Sequence, residues 1–188
     1  MLRTLILIFA LFALPLHAGP ENYRLDVARS SVNFNYLLDG VEKSGSMPVT
    51  SADLLIDLDN VPTSRVLVTL NARAARAGFI FATEAMKSRS VLDTARFPEI
   101  HFRSTRIRGT LRDATVEGNL TVRGVTRPVT LDARLFRQRG TAVTDRSNLL
   151  IELTGSINRA SFGADGYKAL VGDHIKLRIV ARIMKDIR

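Results

Sequence analysis

Gly118-Asn119-Leu120-Thr121-Val122-Arg123-Gly124-Val125-Thr126-Arg127-Pro128-Val129 reads as a strand, a tight turn and a second strand. Leu120 and Val122 alternate with Asn119, Thr121 and Arg123. Side chains on a strand point to opposite faces in turn, so this period of two gives one dry face and one wet face. Gly124 allows the backbone to reverse. Pro128 holds Arg127 extended as the next strand begins.

Outward from this hairpin the same alternation recurs. Val32, Phe34, Tyr36 and Leu38 share one face and run into an Asp39-Gly40 turn. Val66, Val68, Leu70 and Ala72 repeat the pattern after Asn60-Val61-Pro62. Ile100 and Phe102 open another strand, and Val116 leads into the hairpin itself. Val129 to Leu135, Leu149 to Ile157 and Ile175 to Ile183 continue it, and shorter strands fall near 23–26, 42–49 and 52–58. Strands with one dry face belong to an antiparallel sheet, since parallel strands read as continuous apolar runs. About eight of them most simply close into a barrel, which also removes exposed edges. The expected fold class is therefore all-β, an antiparallel barrel of about eight strands.

Between Arg73 and Arg96 the alternation stops, and Ala, Met, Glu and Lys favour helix. The expectation is one or two short helices at a barrel mouth, with Phe79, Phe81 and Met86 turned inward. Arg73, Arg76, Lys87, Arg89 and Arg96 then lie near that mouth, and Arg76, Lys87 and Arg89 are the candidates for holding a head group.

Met1-Leu2-Arg3 followed by the apolar run Thr4 to Leu16 and by Leu16-His17-Ala18 has the form of a secretory signal peptide. The run falls short of the roughly 20 residues that span a bilayer. Residues 1–18 are expected to be removed, leaving a single domain over 19–188 in the bacterial periplasm. The chain has no cysteine, hence no disulfide and no thiolate metal site. Its net charge is +9, and removing Arg3 with the signal leaves +8. Such a balance favours anionic partners. Nucleic acid is set aside because no basic run interleaves with aromatics.

Catalytic and metal chemistry find little footing. Beyond His17, only His101 and His174 remain, both on the polar faces of strands. Neither has a nucleophile and an acidic orienter at useful spacing. Asp53, Asp57, Asp59 and Asn60 resemble calcium ligands but lack the glycine and bidentate glutamate of a calcium loop, so they read as turn chemistry. The sequon at Asn119 falls within a strand of a bacterial protein and is set aside. No catalytic residue, metal ligand or cofactor is assigned.

The hairpin, the preceding Val91-Leu92-Asp93-Thr94-Ala95-Arg96-Phe97-Pro98-Glu99-Ile100-His101-Phe102-Arg103-Ser104, and the later Ile157-Asn158-Arg159-Ala160-Ser161-Phe162-Gly163 together resemble the YceI-like family. The resemblance implies a secreted lipocalin-like barrel that binds a polyisoprenoid in a hydrophobic tunnel. The pattern departs from the family at Leu38–Pro48, where members tend to carry a histidine and a Gly-x-Phe segment.

By composition alone, Phe34, Tyr36, Phe97, Phe102 and Phe162, with Phe79 and Phe81, would simply fill a solid core. Barrels of this size can instead hold one small ligand, and the resemblance makes these aromatics and Met86 candidate tunnel lining. The implied ligand is an isoprenoid lipid, either a polyprenyl phosphate or an isoprenoid quinone. Two rivals stay open: a basic protein docking on an acidic membrane electron-transfer partner or an anionic membrane surface, and a lipid-modifying enzyme. Oligomeric state is not fixed by the sequence, a homodimer being one option.

Overall fold

The computed structural model describes residues 19–137, 140, 142 and 145–186. The signal segment, residues 1–18, lies outside the described residues. Among the described residues the strands are β1 (Glu21–Leu25), β2 (Ser31–Leu38), β3 (Val41–Ser46), β4 (Val49–Ile56), β5 (Arg65–Asn71), β6 (Glu99–Gly109), β7 (Ala114–Val122), β8 (Val125–Arg137), β9 (Asn148–Asn158) and β10 (His174–Lys185), and a single α-helix, α1 (Ile80–Lys87), follows β5. Every pairing among these strands is antiparallel.

Eight strands close the ring, in the order β1, β4, β5, β6, β7, β8, β9, β10 and back to β1. β10 is long enough to serve two neighbours on the same edge. Its C-terminal residues Ile183–Lys185 pair with β1, and Lys176–Val180 pair with β2. The β2–β3 hairpin therefore replaces β1 in the wall at one end of the barrel. There β3 meets the segment after β5 through a bridge between Ser46 and Arg76, whose backbone bonds measure 2.8 and 2.9 Å. Tyr36 seals the same joint, its Oη donating to Ala77 O at 2.8 Å.

Local sequence chemistry explains the turns. Arg123 and Gly124 have φ of 52° and 74°, and Asp39 and Gly40 have 50° and 74°. Two consecutive left-handed residues make the turn whose twist matches an antiparallel hairpin. Pro128 lies in β8 opposite Asn119, and β9 pairs with β8 only from Leu131 onward. Its missing N–H thus faces an edge that carries no strand pairing, where proline is tolerated.

Apolar faces turn inward and gather in three clusters. One, around Ile100, Leu120, Val122 and Phe162, lies toward the end that carries α1. The others, around Tyr23, Leu54 and Ile183 and around Ile107, Val116 and Leu131, lie toward the opposite end. Gly118 makes room for an inward ring: a Cβ there would stand 2.5 Å from Phe102 and 2.6 Å from Arg103 O.

Candidate functional site: an apolar cavity with one open end

The barrel is hollow. On β10 the inward residues Ile175, Leu177, Ile179 and Ala181 are only half-buried, although strands surround them, and full burial is reached at Ile183. Inward side chains stay partly accessible only when they border empty space. That space is a cavity of about 550 Å³ running from α1 and the 164–171 loop at the mouth to Leu25, Val61 and Leu111 at the far end. The inward residues of β10 from 175 to 183 cover roughly 25 Å along the strand, so the cavity is long.

Its walls are almost wholly aliphatic and aromatic. Most of the few polar groups that reach it are held by the protein itself. The Tyr36 hydroxyl is bonded to Ala77, and burial pushes its ionisation upward. At the far end Asp57 Oδ1 accepts from the N–H groups of Asp59 and Asn60 at 2.9 and 2.7 Å, and Oδ2 accepts from Thr63 Oγ1 at 2.8 Å. The Asn60 N–H, with Thr63 and Asp59 adding to it, holds the Asp57 carboxyl below its usual range. Ser64 Oγ accepts from Asp57 N at 2.9 Å, and the Ser30 hydroxyl bonds to Arg182.

Arg159 is the residue that sequence analysis passes over. It is 6% exposed and borders the cavity. Its Nε donates to Gly172 O at 3.1 Å, Nη1 to Ala164 O and Gly166 O at 2.6 and 2.7 Å, and Nη2 to Val171 O at 2.8 Å. Asp173 balances the charge at 3.4 Å. A rigid fork of donors suits a converging set of carbonyls. Arg159 thereby ties both ends of the 164–172 loop together, and that loop supplies Tyr167, Leu170 and Val171 to the mouth. Arg123 clamps the neighbouring wall by donating to the carbonyls of Val91 and Gly163.

Of the candidate lining residues, Phe34, Tyr36, Met86, Phe102 and Phe162 border the cavity inside the barrel. Phe79 and Phe81 border it as well, but they stand at the rim, 43% and 80% exposed, and are not turned inward. The reason is the short helix: α1 starts only at Ile80, so Phe79 caps it and Phe81 sits in its first turn, past the wall. Ala82, Ala85 and Met86 take the inward face instead. Phe97 is not part of the lining. It packs outside the cavity beside Gly124, under the Arg96 guanidinium at 5.2 Å.

The basic residues divide in the same way. Arg73 donates to the carbonyls of Thr94 and Ala95. Arg76 and Lys87 flank a shallow depression outside the cavity, beside Phe79, Ile80 and Thr83. Lys87 also faces Glu84 at 3.8 Å. Arg89 is exposed and borders neither space. Both histidines lie on exposed strand positions, His101 with Nδ1 3.3 Å from Thr69 Oγ1. Asp59 is held by Arg146 at 2.7 and 2.8 Å and Asp57 by its own turn, which accounts for the carboxylates that resemble calcium ligands. Among the described residues no three His, Asp or Glu side chains gather as a metal site, and no helix is long and apolar enough to cross a membrane.

A closed antiparallel barrel around an apolar cavity defines a lipocalin-like class of protein. Within that class the family model for the YceI-like domain matches residues 23–183, and the chain belongs to this family. Protein YceI of Salmonella arizonae is 34% identical over 124 residues, and that of Escherichia coli 28% over 124 residues. Each match covers 64% of this chain and 65% of the relative, so the chain spans just under two thirds of the length of these relatives. Among solved structures, Burkholderia cenocepacia BcnA superposes with a TM-score of 0.75 at 17% identity, covering 84% of this chain and 98% of BcnA. A polyisoprenoid-binding domain from Saccharophagus degradans, implicated in plant cell wall breakdown, superposes with a TM-score of 0.62 at 12% identity, covering 88% and 99%. At these identities the likeness is one of fold.

Proposed function

We propose that the protein binds a long-chain isoprenoid lipid, a polyprenyl phosphate or an isoprenoid quinone, and sequesters or carries it with the tail inside the barrel. The observation that carries this reading is the cavity itself: long, lined by aliphatic and aromatic side chains, with few polar groups, most of them already partnered. Such a space offers a ligand hydrophobic contact and little else. Each methylene transferred into it contributes about 0.8 kcal/mol, so part of a polyprenyl tail is enough for tight binding. A polar head group stays at the mouth, where Phe79 borders both the cavity and the depression flanked by Arg76 and Lys87. The S. degradans neighbour, described as polyisoprenoid-binding, supports the ligand class. The reading is of a binding protein and needs no cofactor, metal or enzymatic step. It includes export to the periplasm, supported by the charged start and apolar run within residues 1–18.

Mass spectrometry of an organic extract of the purified protein tests this. A stoichiometric isoprenoid is expected, and removing it should lower the melting temperature. Re-addition at 100 times the dissociation constant restores about 2.7 kcal/mol. No extractable lipid, together with no stabilisation by polyprenyl phosphate or quinone, would overturn the proposal.

A further inference from the structure

Large apolar side chains left exposed are normally scattered. Here Val27 and Phe136 are exposed elsewhere, but Leu37, Val41, Phe79, Ile80, Phe81 and Leu170 are all more than 40% exposed and lie around one end of the barrel. Tyr167 joins them at 49%. Their backbones are stitched into a frame. Asp39 N donates to Leu170 O at 2.7 Å and Gly172 N to Leu37 O at 3.0 Å, fixing the β2–β3 tip to the 164–172 loop. Gly166 N donates to Ser90 O at 2.8 Å, fixing that loop to the segment after α1. The Ser46–Arg76 bridge fixes the start of α1 to the hairpin. Phe79, Phe81, Tyr167 and Leu170 also border the cavity, so apolar surface runs without a break from the outside of the rim to the interior.

Charge on this rim is one-sided. The acids Glu42, Glu84 and Asp165 are each paired, with Lys176 at 3.4 Å, Lys87 at 3.8 Å and Lys168 at 2.8 Å. Asp39 alone among the rim acids has no such partner among the described residues. The cations Lys43, Arg76 and Arg89 are exposed and have no side-chain partner among the described residues. Projecting aromatic and aliphatic side chains ringed by cations are the composition that settles into an anionic lipid interface.

We propose that the mouth of the barrel docks on the surface of an anionic phospholipid bilayer, with Ile80, Phe81, Val41 and Leu170 entering the head-group region. A second copy of the chain fits this face poorly, because a two-fold contact would set the cationic rim patch of Lys43, Arg76 and Arg89 against the same patch of the other copy. Docking in this orientation places the cavity opening directly on the bilayer. That loading step rests on the lipid-carrier reading above; docking itself does not.

Co-sedimentation with extruded vesicles tests the proposal. The protein is expected to bind vesicles of mixed phosphatidylglycerol and phosphatidylcholine, and to lose most binding with pure phosphatidylcholine or at about 0.5 M salt. Ile80 and Val41 do not border the cavity. The double variant I80E/V41E should lose about tenfold or more of its vesicle binding, with an unchanged melting temperature and unchanged binding of uncharged farnesol in vesicle-free solution. The milder I80S and the charge reversal K43E should each weaken vesicle binding, which keeps the test open if the double variant misfolds. Absence of binding to phosphatidylglycerol vesicles, or equal binding by parent and variants, would refute docking. So would a concentration-dependent dimer that I80E/V41E abolishes in place of vesicle binding. Vesicle binding without farnesol binding would leave docking standing and remove the carrier reading.

Discussion

Arg159 is a charged residue directly after an apolar strand, a position that ordinarily faces water. In the folded protein four main-chain carbonyls and one carboxylate converge on its guanidinium. Nothing in the composition around Ile157–Gly163 announces this, because the carbonyls belong to a loop five to thirteen residues away whose path depends on the clasp itself. Arg159→Met would fill the same volume and leave the carbonyls of Ala164, Gly166, Val171 and Gly172 without their donor. Unsatisfied buried polar groups cost about 1–3 kcal/mol each before water enters, so a loss of about 3 kcal/mol is expected in urea unfolding. Arg159→Lys should recover little of it, since an ammonium cannot span four diverging acceptors. A loss below about 1 kcal/mol for Arg159→Met would show that water substitutes for the clasp.

At the level of elements, most strands were legible because they alternate against a dry interior; β3 is exposed along most of its length and does not alternate, so the strand expected near 42–49 runs across β3 and the start of β4. The helix was legible only in kind: loss of alternation located it, but not its first residue, and a start at Ile80 is what leaves Phe81 on the rim. Phe97 misled for a related reason. It follows a left-handed Asp93 and a turn, so alternation with Phe102 does not extend back to it. The turn after β4 carries its own prediction. Asp57 accepts from Asn60 N and Thr63 Oγ1 across the short turn at Val61–Thr63, whose Val61 borders the far end of the cavity. Its carboxyl is depressed in the folded state, so the stability it contributes is present above its unfolded pKa and is lost as pH falls through the folded one. Asp26, Glu42 and Asp165 are depressed in the same direction by Arg29, by Asn35 with Lys176, and by Lys168. Melting temperature should therefore hold between about pH 5 and 8 and fall below about pH 4. Asp57→Asn should lower it at neutral pH and flatten part of the acid limb. An acid limb of unchanged steepness in that variant would remove Asp57 from the account.

For the whole molecule, alternation cannot distinguish a filled barrel from a hollow one, because both need an apolar inner face. The distinction lies in side-chain volume summed across facing strands, and that depends on the register and diameter the chain adopts. Leu177, half-buried in the middle of the cavity wall, gives the sharpest test. Leu177→Trp adds volume where space exists, so the lipid-free protein should melt within a few degrees of the parent. Bound isoprenoid should fall by about tenfold or more, equivalent to about 1.4 kcal/mol. A solid barrel would lose about 1–3 kcal/mol of stability to the same substitution.

The half-buried inner face of β10 has a mechanical consequence. Space bounded by walls that give water no partner is volume the folded chain holds open, and unfolding releases it. Proteins with internal voids shrink when they unfold, in proportion to the void removed. Pressure unfolding should therefore set in earlier for the empty barrel than for one whose 550 Å³ is filled by a guest.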